Sequence, residues 1–281
     1  MPFLKMNDTT NLYYRDWGNK DAPVVVFVSA WALHSAMWEY QMFPLSEQGL
    51  RCIAFDRRGH GRSEESMSDY AIDTLADDLA QVLTQLDLPN VTLIGNSMGC
   101  GEIARYLTRH GDSRTARVVF TSPSTPCALQ REDYPQGAPR AALDAHIAAL
   151  CKDRPLYMAN GAPKYFALGS NWPGPEMLSP QLTQWITRVI QEISLYATIE
   201  AMRANWESDF RPDLRAMQVP TLIIHGDRDQ NAPLDRCGRP TANLIAGSVL
   251  KVYEGAPHGM FLTHRDRLTS DLLAFIKGDA Q

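Results

Sequence analysis

The sequence predicts an α/β protein built on a mainly parallel β-sheet with helices on both faces. Short apolar runs rich in β-branched residues recur along the chain, and they have the length of strands that are covered on both sides. Amphipathic helical patterns lie between them, and such strand–helix alternation is typical of parallel sheets. The chain has 281 residues, of which 44% are hydrophobic and 21% charged, so it is long enough to bury an ordinary globular core.

The predicted elements follow one another in a regular order. Residues 3–6 and 12–17 flank the turn-rich segment 7–10, which predicts an antiparallel hairpin that feeds the sheet. Continuous apolar runs predict strands at residues 24–28, 52–55, 91–94, 118–120, 221–224 and 249–253. Residues 71–86 and 267–277 repeat apolar side chains at spacings of three and four, which predicts amphipathic helices.

The alternation breaks over residues 122–215, where helical patterns near residues 141–151 and 181–205 occur without a clear strand. An insertion of this length between two core strands exceeds a plain loop, so it is expected to carry its own structure. We interpret it as a helical cap over one edge of the sheet. The predicted division is therefore a core of residues 1–121 and 216–281 interrupted by this cap.

Charge and cysteine usage argue against several classes of function. With 27 basic and 32 acidic side chains the formal net charge is −5, which gives no indication of nucleic-acid or anionic-membrane binding. The apolar run at residues 22–33 is shorter than the ~20 residues that span a membrane, and the N-terminal residues lack a signal-peptide pattern. Five scattered cysteines have no metal-ligand spacing. We expect a cytoplasmic protein without nucleic-acid or membrane partners.

The strongest chemical signal is Gly-Asn-Ser-Met-Gly at residues 95–99. It follows a predicted strand and precedes a helical pattern, the context in which G-x-S-x-G makes a sharp turn and exposes the serine hydroxyl. Glycines flank Ser97 because side chains there would collide with the neighbouring strand and helix. A serine hydroxyl is a weak nucleophile, so Ser97 needs a neighbouring base and an acid that orients this base.

Candidates for both partners follow later strands, in the chain order serine, acid, histidine. Asp227 and Asp229 come after one predicted strand, and His258 comes after the next. The carboxyl ends of parallel strands form the site edge of an open α/β sheet, so we expect Ser97, one aspartate and His258 to meet there. Each signal alone has an ordinary structural explanation, but their joint occurrence in this order favours catalysis.

Segments along nearly the whole chain match a known family. They are Tyr-Arg-Asp-Trp-Gly at 14–18, Met-Trp-Glu-Tyr-Gln-Met at 37–42, Ala-Phe-Asp-Arg-Arg-Gly-His-Gly-Arg-Ser at 54–63, Ala-Asp-Asp-Leu at 76–79, Gly-Asn-Ser-Met-Gly at 95–99, Asp-Tyr-Pro-Gln-Gly at 133–137, His-Gly-Asp-Arg-Asp at 225–229 and Ala-Pro-His-Gly at 256–259. Together they resemble the α/β-hydrolases, specifically the bacterial aryl-esterase, perhydrolase and cofactor-free haloperoxidase group. The resemblance implies an α/β-hydrolase fold, with a mostly parallel eight-stranded sheet and a helical cap. It also implies chemistry without cofactor or metal, and relatives often form homo-oligomers.

The resemblance assigns roles in catalysis to three side chains. It implies Ser97 as nucleophile, His258 as base and Asp229 as acid. Asp229 is favoured over Asp227 because the family's acid precedes a proline at the spacing that Asp229 has from Pro233. The serine argues against haloalkane dehalogenases and epoxide hydrolases, which use an aspartate at this position.

The oxyanion loop departs from the family pattern. The resemblance implies that the backbone N–H groups of Trp31 and Met98 hold the oxyanion, but relatives usually have His-Gly where this chain has Ser29 and Ala30. A main-chain donor survives a change of side chain, whereas alanine restricts backbone angles that glycine allows. Two interpretations stay open: tolerated drift, or a variant reaction with a modified oxyanion loop.

Aromatic side chains are candidates for the substrate pocket. The predicted substrate-binding residues are Trp31, Tyr165, Phe166 and Trp185, and further aromatics of the predicted cap are Trp172, Tyr196 and Trp206. Core packing explains these cap aromatics about equally well. Two other histidines are interpreted as structural: His60 as part of a fold-building turn, and His225 as a packing residue at a strand end.

The function expected from these residues is hydrolysis of a carboxylic ester or lactone through an acyl-enzyme on Ser97, with a perhydrolase side activity. A small-molecule ester or lactone is the expected partner. One alternative is biosynthetic acyl transfer, cyclisation, or C–C or lactone hydrolysis with a modified oxyanion loop. An alternative of another class is a non-catalytic ligand-binding protein on the same fold.

Overall fold

The centre of the protein is one mainly parallel β-sheet, seen in a computed structural model that describes residues 2–67, 69–169 and 178–278. Within these residues eight strands are joined in the order β1-β2-β4-β3-β5-β6-β7-β8. The strands are β1 (Phe3–Lys5), β2 (Asn11–Trp17), β3 (Val24–Val28), β4 (Arg51–Phe55), β5 (Val91–Asn96), β6 (Thr115–Thr121), β7 (Thr221–Gly226) and β8 (Val249–Tyr253). β2 pairs antiparallel with β1 and β4, and all other neighbouring pairs are parallel. The predicted sheet and its N-terminal hairpin are confirmed.

Helices lie between and after the strands of the described chain, from the end of β3 onward. They are α1 (Glu39–Glu47), α2 (Ile72–Gln85), α3 (Met98–His110), α4 (Arg140–Phe166), α5 (Pro180–Gln191), α6 (Leu195–Glu207), α7 (Arg211–Ala216), α8 (Gly238–Leu244), α9 (Met260–Thr263) and α10 (Arg265–Lys277). α2 and α10 occupy the two predicted amphipathic patterns. Helix α1, which carries Pro44 in its interior, and the short helices α7 to α9 were not predicted, because none of them shows a sustained helical period. No helix in the described residues is long and apolar enough to cross a lipid bilayer.

Two hydrophobic cores lie on opposite faces of the sheet. Successive residues of β3 alternate between them: Val26 and Val28 belong to one core, and Val25 and Phe27 to the other. Helices α2 and α3 contribute side chains to the first core, whereas α1 and α10 contribute to the second. This burial on both faces explains why the strand sequences are continuously apolar rather than alternating.

The described residues between β6 and β7 form four helices, α4 to α7. The helical pattern at 141–151 is the first part of α4, which continues past a non-helical backbone at Asp153. The pattern at 181–205 divides into α5 and α6, because the Ser194 side chain accepts a hydrogen bond from Ala197 N–H and starts a new helix. The assignment of the whole insertion to a separate cap stays a prediction.

The turn between β5 and α3 depends on close packing at two glycines. A Cβ atom on Gly99 would lie 2.5 Å from the carbonyl oxygen of Val28, and one on Gly95 would lie 2.9 Å from the backbone nitrogen of Cys100. Side chains do not tolerate such distances, so α3 begins closer to β3 and β5 than any other residue type permits. The collision predicted for side chains beside Ser97 is confirmed.

We expect Gly99→Ala to lower the free energy of unfolding by about 1–3 kcal/mol, the usual effect of overpacking. The added Cβ meets the backbone of β3, which cannot move aside as a flexible side chain does. Gly161→Ala in α4 is the control, since its Cβ would meet nothing within 4 Å. There alanine should raise stability by up to about 1 kcal/mol. Urea denaturation measures both variants, and an unchanged midpoint for Gly99→Ala would contradict the close approach.

Candidate active site

Ser97 occupies the turn between the last residue of β5 and the first residue of α3. Its backbone has φ 53° and ψ −113°, a conformation that costs a non-glycine residue about 1–3 kcal/mol. The side chain makes no capping hydrogen bond to α3, and 8% of the residue is exposed. The strained turn therefore leaves the hydroxyl uncommitted at the positive end of a helix dipole.

Two adjacent residues at the end of β6 hold Ser97 and His258 at one edge of the sheet. The Ser97 N–H donates to the carbonyl of Thr121 over 3.1 Å, and the hydroxyl of Ser122 donates to the carbonyl of His258 over 3.1 Å. Among the described residues no hydrogen bond joins the Ser97 hydroxyl to His258. Such bonds are often completed only when substrate binds.

His258 and Asp229 form a buried hydrogen-bonded pair. His258 Nδ1 lies 2.6 Å from Asp229 Oδ2, and 4% of each residue is exposed. The other carboxylate oxygen accepts from Asn231 N–H at 2.9 Å and Ala232 N–H at 2.7 Å. Burial by itself raises the pKa of Asp229, but the charge of His258 and hydrogen bonds from His225 and His258 outweigh it and hold this pKa well below its usual range. Asp229 is thus an ionised partner for the imidazole ring.

His225 is a second histidine on the same carboxylate. Its Nε2 lies 2.7 Å from the carbonyl oxygen of Ala232 and 3.3 Å from Asp229 Oδ2. Because a carbonyl oxygen only accepts hydrogen bonds, Nε2 must carry a proton. The positive end of this N–H also faces the Asp229 carboxylate. His225 was predicted to be a packing residue, and its contact with Asp229 was not predicted. Its spacing of four residues from Asp229 is the sequence signal that could have indicated the contact.

The two candidate oxyanion donors lie in the turn after β3 and at the first residue of α3. Neither the Trp31 nor the Met98 backbone N–H donates to another described residue. Ala30, the alanine that replaces a glycine of the family, is not among the residues with positive φ, whereas Ala32 has φ 55°. The replacement therefore causes no left-handed strain at position 30, which favours tolerated drift over a distorted loop.

A cavity of about 560 Å³ lies between α4 and this turn. Its walls include Trp31, Tyr165 and Phe166, together with Asn231 beside Asp229. The ring of Tyr165 packs edge-on against His258 with centroids 4.9 Å apart. Ser97 and His258 do not themselves line the cavity, but Tyr165 joins it to the histidine, and the cavity carries three of the four predicted substrate-binding side chains.

The other predicted aromatics lie elsewhere. Trp185 does not line this cavity in the described structure; its ring packs edge-on against Tyr40 of α1, with centroids 6.1 Å apart. Tyr196 packs against Tyr70, and Trp206 packs against a histidine of α4. Trp172 lies outside the described residues. The periodicity of a helix does not reveal which of its aromatic side chains meets a cavity.

His60 stays outside the site. It is fully buried and its Nδ1 lies 2.8 Å from the carbonyl oxygen of Arg58. Burial and the nearby charge of Arg57 hold the pKa of His60 well below its usual value, so the ring is neutral. Across the described ranges, no three His, Cys, Asp or Glu side chains are grouped so as to hold a metal ion.

Comparisons with known proteins agree on one family. The family described as alpha/beta hydrolase fold matches residues 23–265. A non-heme haloperoxidase from Rhodococcus erythropolis is 37% identical over 99% of this chain and 100% of its own length. A bifunctional esterase/perhydrolase from Acinetobacter calcoaceticus is 34% identical over the same shares. Among solved structures, an esterase from Exiguobacterium antarcticum has a TM-score of 0.91 at 34% identity over 98% of both chains. A bromoperoxidase from Bacillus anthracis has the same TM-score at 36% identity, over 98% of this chain and 99% of its own.

We expect the stabilising effect of the Asp229 carboxylate to disappear in acid. Its folded-state pKa lies below the unfolded value of ~3.9, so the contribution is present above about pH 4 and is lost as the pH falls through the folded-state pKa. The difference in unfolding free energy between wild type and Asp229→Asn should therefore shrink below about pH 4. Urea denaturation at several pH values measures it. Asp227→Asn is the control, because Asp227 accepts from Gly255 N–H instead, and a pH-independent difference for Asp229→Asn would contradict the assignment.

Proposed function

The chain belongs to the α/β-hydrolase fold family, and we propose that it is a serine hydrolase that cleaves a carboxylic ester or lactone through an acyl-enzyme on Ser97. The observation that carries the proposal is the buried 2.6 Å hydrogen bond between His258 Nδ1 and Asp229 Oδ2. It lies at the same edge of the sheet as the strained turn of Ser97. A histidine held through Nδ1 presents Nε2 as a base of defined tautomer. Relatives named as esterases support the same class of reaction.

Acylation uses five groups of this site. His258 Nε2 takes the proton of the Ser97 hydroxyl as the oxygen attacks the ester carbonyl, while Nδ1–H keeps donating to Asp229. The carboxylate stabilises the imidazolium ion that forms. The N–H groups of Trp31 and Met98 stabilise the oxyanion, and one such donor contributes about 10²–10³ in rate. The imidazolium then protonates the leaving alcohol, and the acyl group stays on the serine.

Deacylation repeats these steps with water as the attacking group. His258 takes a proton from water as the water oxygen attacks the acyl carbonyl. The imidazolium then returns a proton to the Ser97 oxygen, and the carboxylic acid leaves. Hydrogen peroxide in the place of water yields a peracid by the same steps. The haloperoxidase and esterase/perhydrolase names of relatives support perhydrolysis as a second activity of this chain.

The cavity beneath α4 is the proposed substrate pocket. Its lining is mostly apolar and includes the rings of Trp31, Tyr165 and Phe166, together with polar side chains such as Lys152, Asp153 and Lys164. Apolar walls with a small number of placed polar groups are typical of small-molecule sites. An ester with an apolar body bound here is connected to His258 through Tyr165, which lines the cavity and packs against the imidazole ring.

We expect a fluorophosphonate probe to label the protein stoichiometrically on Ser97, because the probe reacts with an activated serine hydroxyl. Ser97→Ala should abolish labelling, and His258→Ala should slow it by at least about 10³, the scale of a lost triad member. Ser124→Ala is the control, since its hydroxyl contacts Asn205 instead. Intact-mass spectrometry and peptide mapping measure the outcome. Folded wild-type protein that stays unlabelled would exclude the serine-hydrolase proposal and favour a ligand-binding member of the fold.

The choice between the two neighbouring aspartates has its own test. Asp229→Asn should lower kcat for p-nitrophenyl acetate by about 10⁴, because the amide no longer fixes the tautomer of the histidine. Asp227→Asn should change kcat less than tenfold, since that carboxylate accepts a hydrogen bond from Gly255 N–H. Steady-state kinetics on the two variants measure the difference. A larger loss of kcat in Asp227→Asn would show that Asp227, and not Asp229, is the acid.

A further inference from the structure

Arg57, just beyond the end of β4, is a buried cation with four hydrogen bonds. Its guanidinium donates to the carbonyl of Ser29 at 2.7 Å and to the carbonyl of Ala30 at 3.3 Å. It also donates twice to Glu102 Oε1, at 2.9 and 2.5 Å. The exposed fractions of the two side chains are 2% and 1%. One side chain thus joins the turn after β3 to helix α3.

These contacts fall on the groups that orient the proposed oxyanion donors. The Ala30 carbonyl and the Trp31 N–H belong to the same peptide unit, which is planar and trans, so they point in opposite directions. The guanidinium and the Leu33 N–H, which donates to the same carbonyl over 3.2 Å, therefore together hold the direction of the N–H on the far side. Glu102 lies four residues after Met98 in α3, so the same guanidinium is anchored to the helix that carries the second N–H.

We propose that Arg57 is a positioning residue for catalysis: it sets the spacing and orientation of the Trp31 and Met98 N–H groups from behind. This inference rests on the proposed hydrolase function. A hydrogen bond to the carbonyl also polarises the peptide, and chains of hydrogen bonds strengthen one another in a buried environment, so the Trp31 N–H becomes a better donor. The guanidinium is paired with the Glu102 carboxylate, so its effect on the oxyanion acts through the orientation and polarisation of this peptide and not through a net charge.

The same contacts explain why the side-chain change in this loop is compatible with an ordered turn. Arg57 binds main-chain oxygens of Ser29 and Ala30, so its hold does not depend on which side chains stand there. The Ser29 hydroxyl itself is buried and has no hydrogen-bond partner in the described chain. The loop is held through its backbone, and a histidine at position 29 is not needed for that.

A neighbouring arginine separates this role from simple stabilisation. Arg58 is as deeply buried as Arg57, but it donates to both oxygens of Asp78 at 2.8 Å and to Asp8 at 2.8 Å. Breaking either buried pair leaves an unpaired charge and destabilises the protein. Of the two changes, only loss of Arg57 removes hydrogen bonds to Ser29 and Ala30 in the turn after β3.

The test compares Arg57→Met with Arg58→Met, with rates expressed per serine that a fluorophosphonate probe labels at completion. For p-nitrophenyl acetate we expect Arg57→Met to lower kcat about 100-fold, near the effect of one lost oxyanion donor, with KM changed less than threefold. Affinity for a trifluoromethyl ketone, whose adduct with Ser97 carries an oxyanion, should fall by the same factor. Arg58→Met should keep wild-type kcat and ketone affinity although both variants unfold at lower urea concentration.

Wild-type kcat in Arg57→Met, or an equal loss in Arg58→Met, overturns the inference. If Arg57→Met does not fold, Arg57→Lys decides: its ammonium keeps the charge but cannot reproduce the fork that binds two carbonyls and a carboxylate. That variant should lose at least tenfold in kcat, and an unchanged kcat overturns the inference. Wild-type protein that neither labels nor hydrolyses esters would instead refute the proposed function, so the two failures are distinct.

Discussion

The approach of α3 to the backbone of β3 and β5 is the constraint on which the arrangement of the site depends. Gly99 brings the helix against the carbonyl of Val28, the last residue of β3, and Gly95 brings β5 against the first turn of the same helix. These contacts fix where Ser97 stands relative to Trp31. The strained backbone of Ser97 is held in place by packing on both sides of it, as strain at functional sites generally is.

Much of the fold follows from patterns that the chain carries locally. Strands β3 and β8 have the predicted bounds because Val24–Val28 and Val249–Tyr253 are short, valine-rich runs of strand length. The chain order of Ser97, Asp229 and His258 is also readable, since each residue follows a strand. Helix α1 was not readable, because a proline in its interior and weak periodicity hide it.

The contacts that Arg57 and His225 make around the site could not be predicted from the sequence, for a physical reason. Arg57 stands in a polar segment that is typical of a turn, and its partners are main-chain carbonyl oxygens, which every residue possesses. His225 likewise reaches Asp229 because the chain turns at residues 226–229, where the Asp229 N–H donates to the carbonyl of Gly226. Trp185 shows the converse: an aromatic residue in the predicted cap packs on Tyr40 of α1 instead of lining the cavity.

The buried charges near the site share one pattern. Asp229 is met by two histidines and two backbone N–H groups, and Arg57 is met by one carboxylate and two carbonyls. Charges removed from water are tolerated only when their hydrogen-bonding capacity is used in this way. Each of them is bonded to the backbone of a loop, so these charges connect segments without regular structure to the rest of the site.

The indole of Trp31 adds a consequence for the divergence of this protein. Its Nε1 donates to the carbonyl of Thr198 in α6 over 2.8 Å, so the residue whose backbone N–H is the proposed oxyanion donor is tied by its side chain to a helix of the insertion. The side chains that line the cavity, apart from Trp31 itself, can change one at a time and leave that bond intact. An inserted or deleted residue that rotates α6 breaks the bond, because it moves the carbonyl of Thr198 away. On the proposed mechanism, substitutions around the cavity can therefore alter specificity alone, whereas a change in the length or register of α6 also shifts the proposed oxyanion donor.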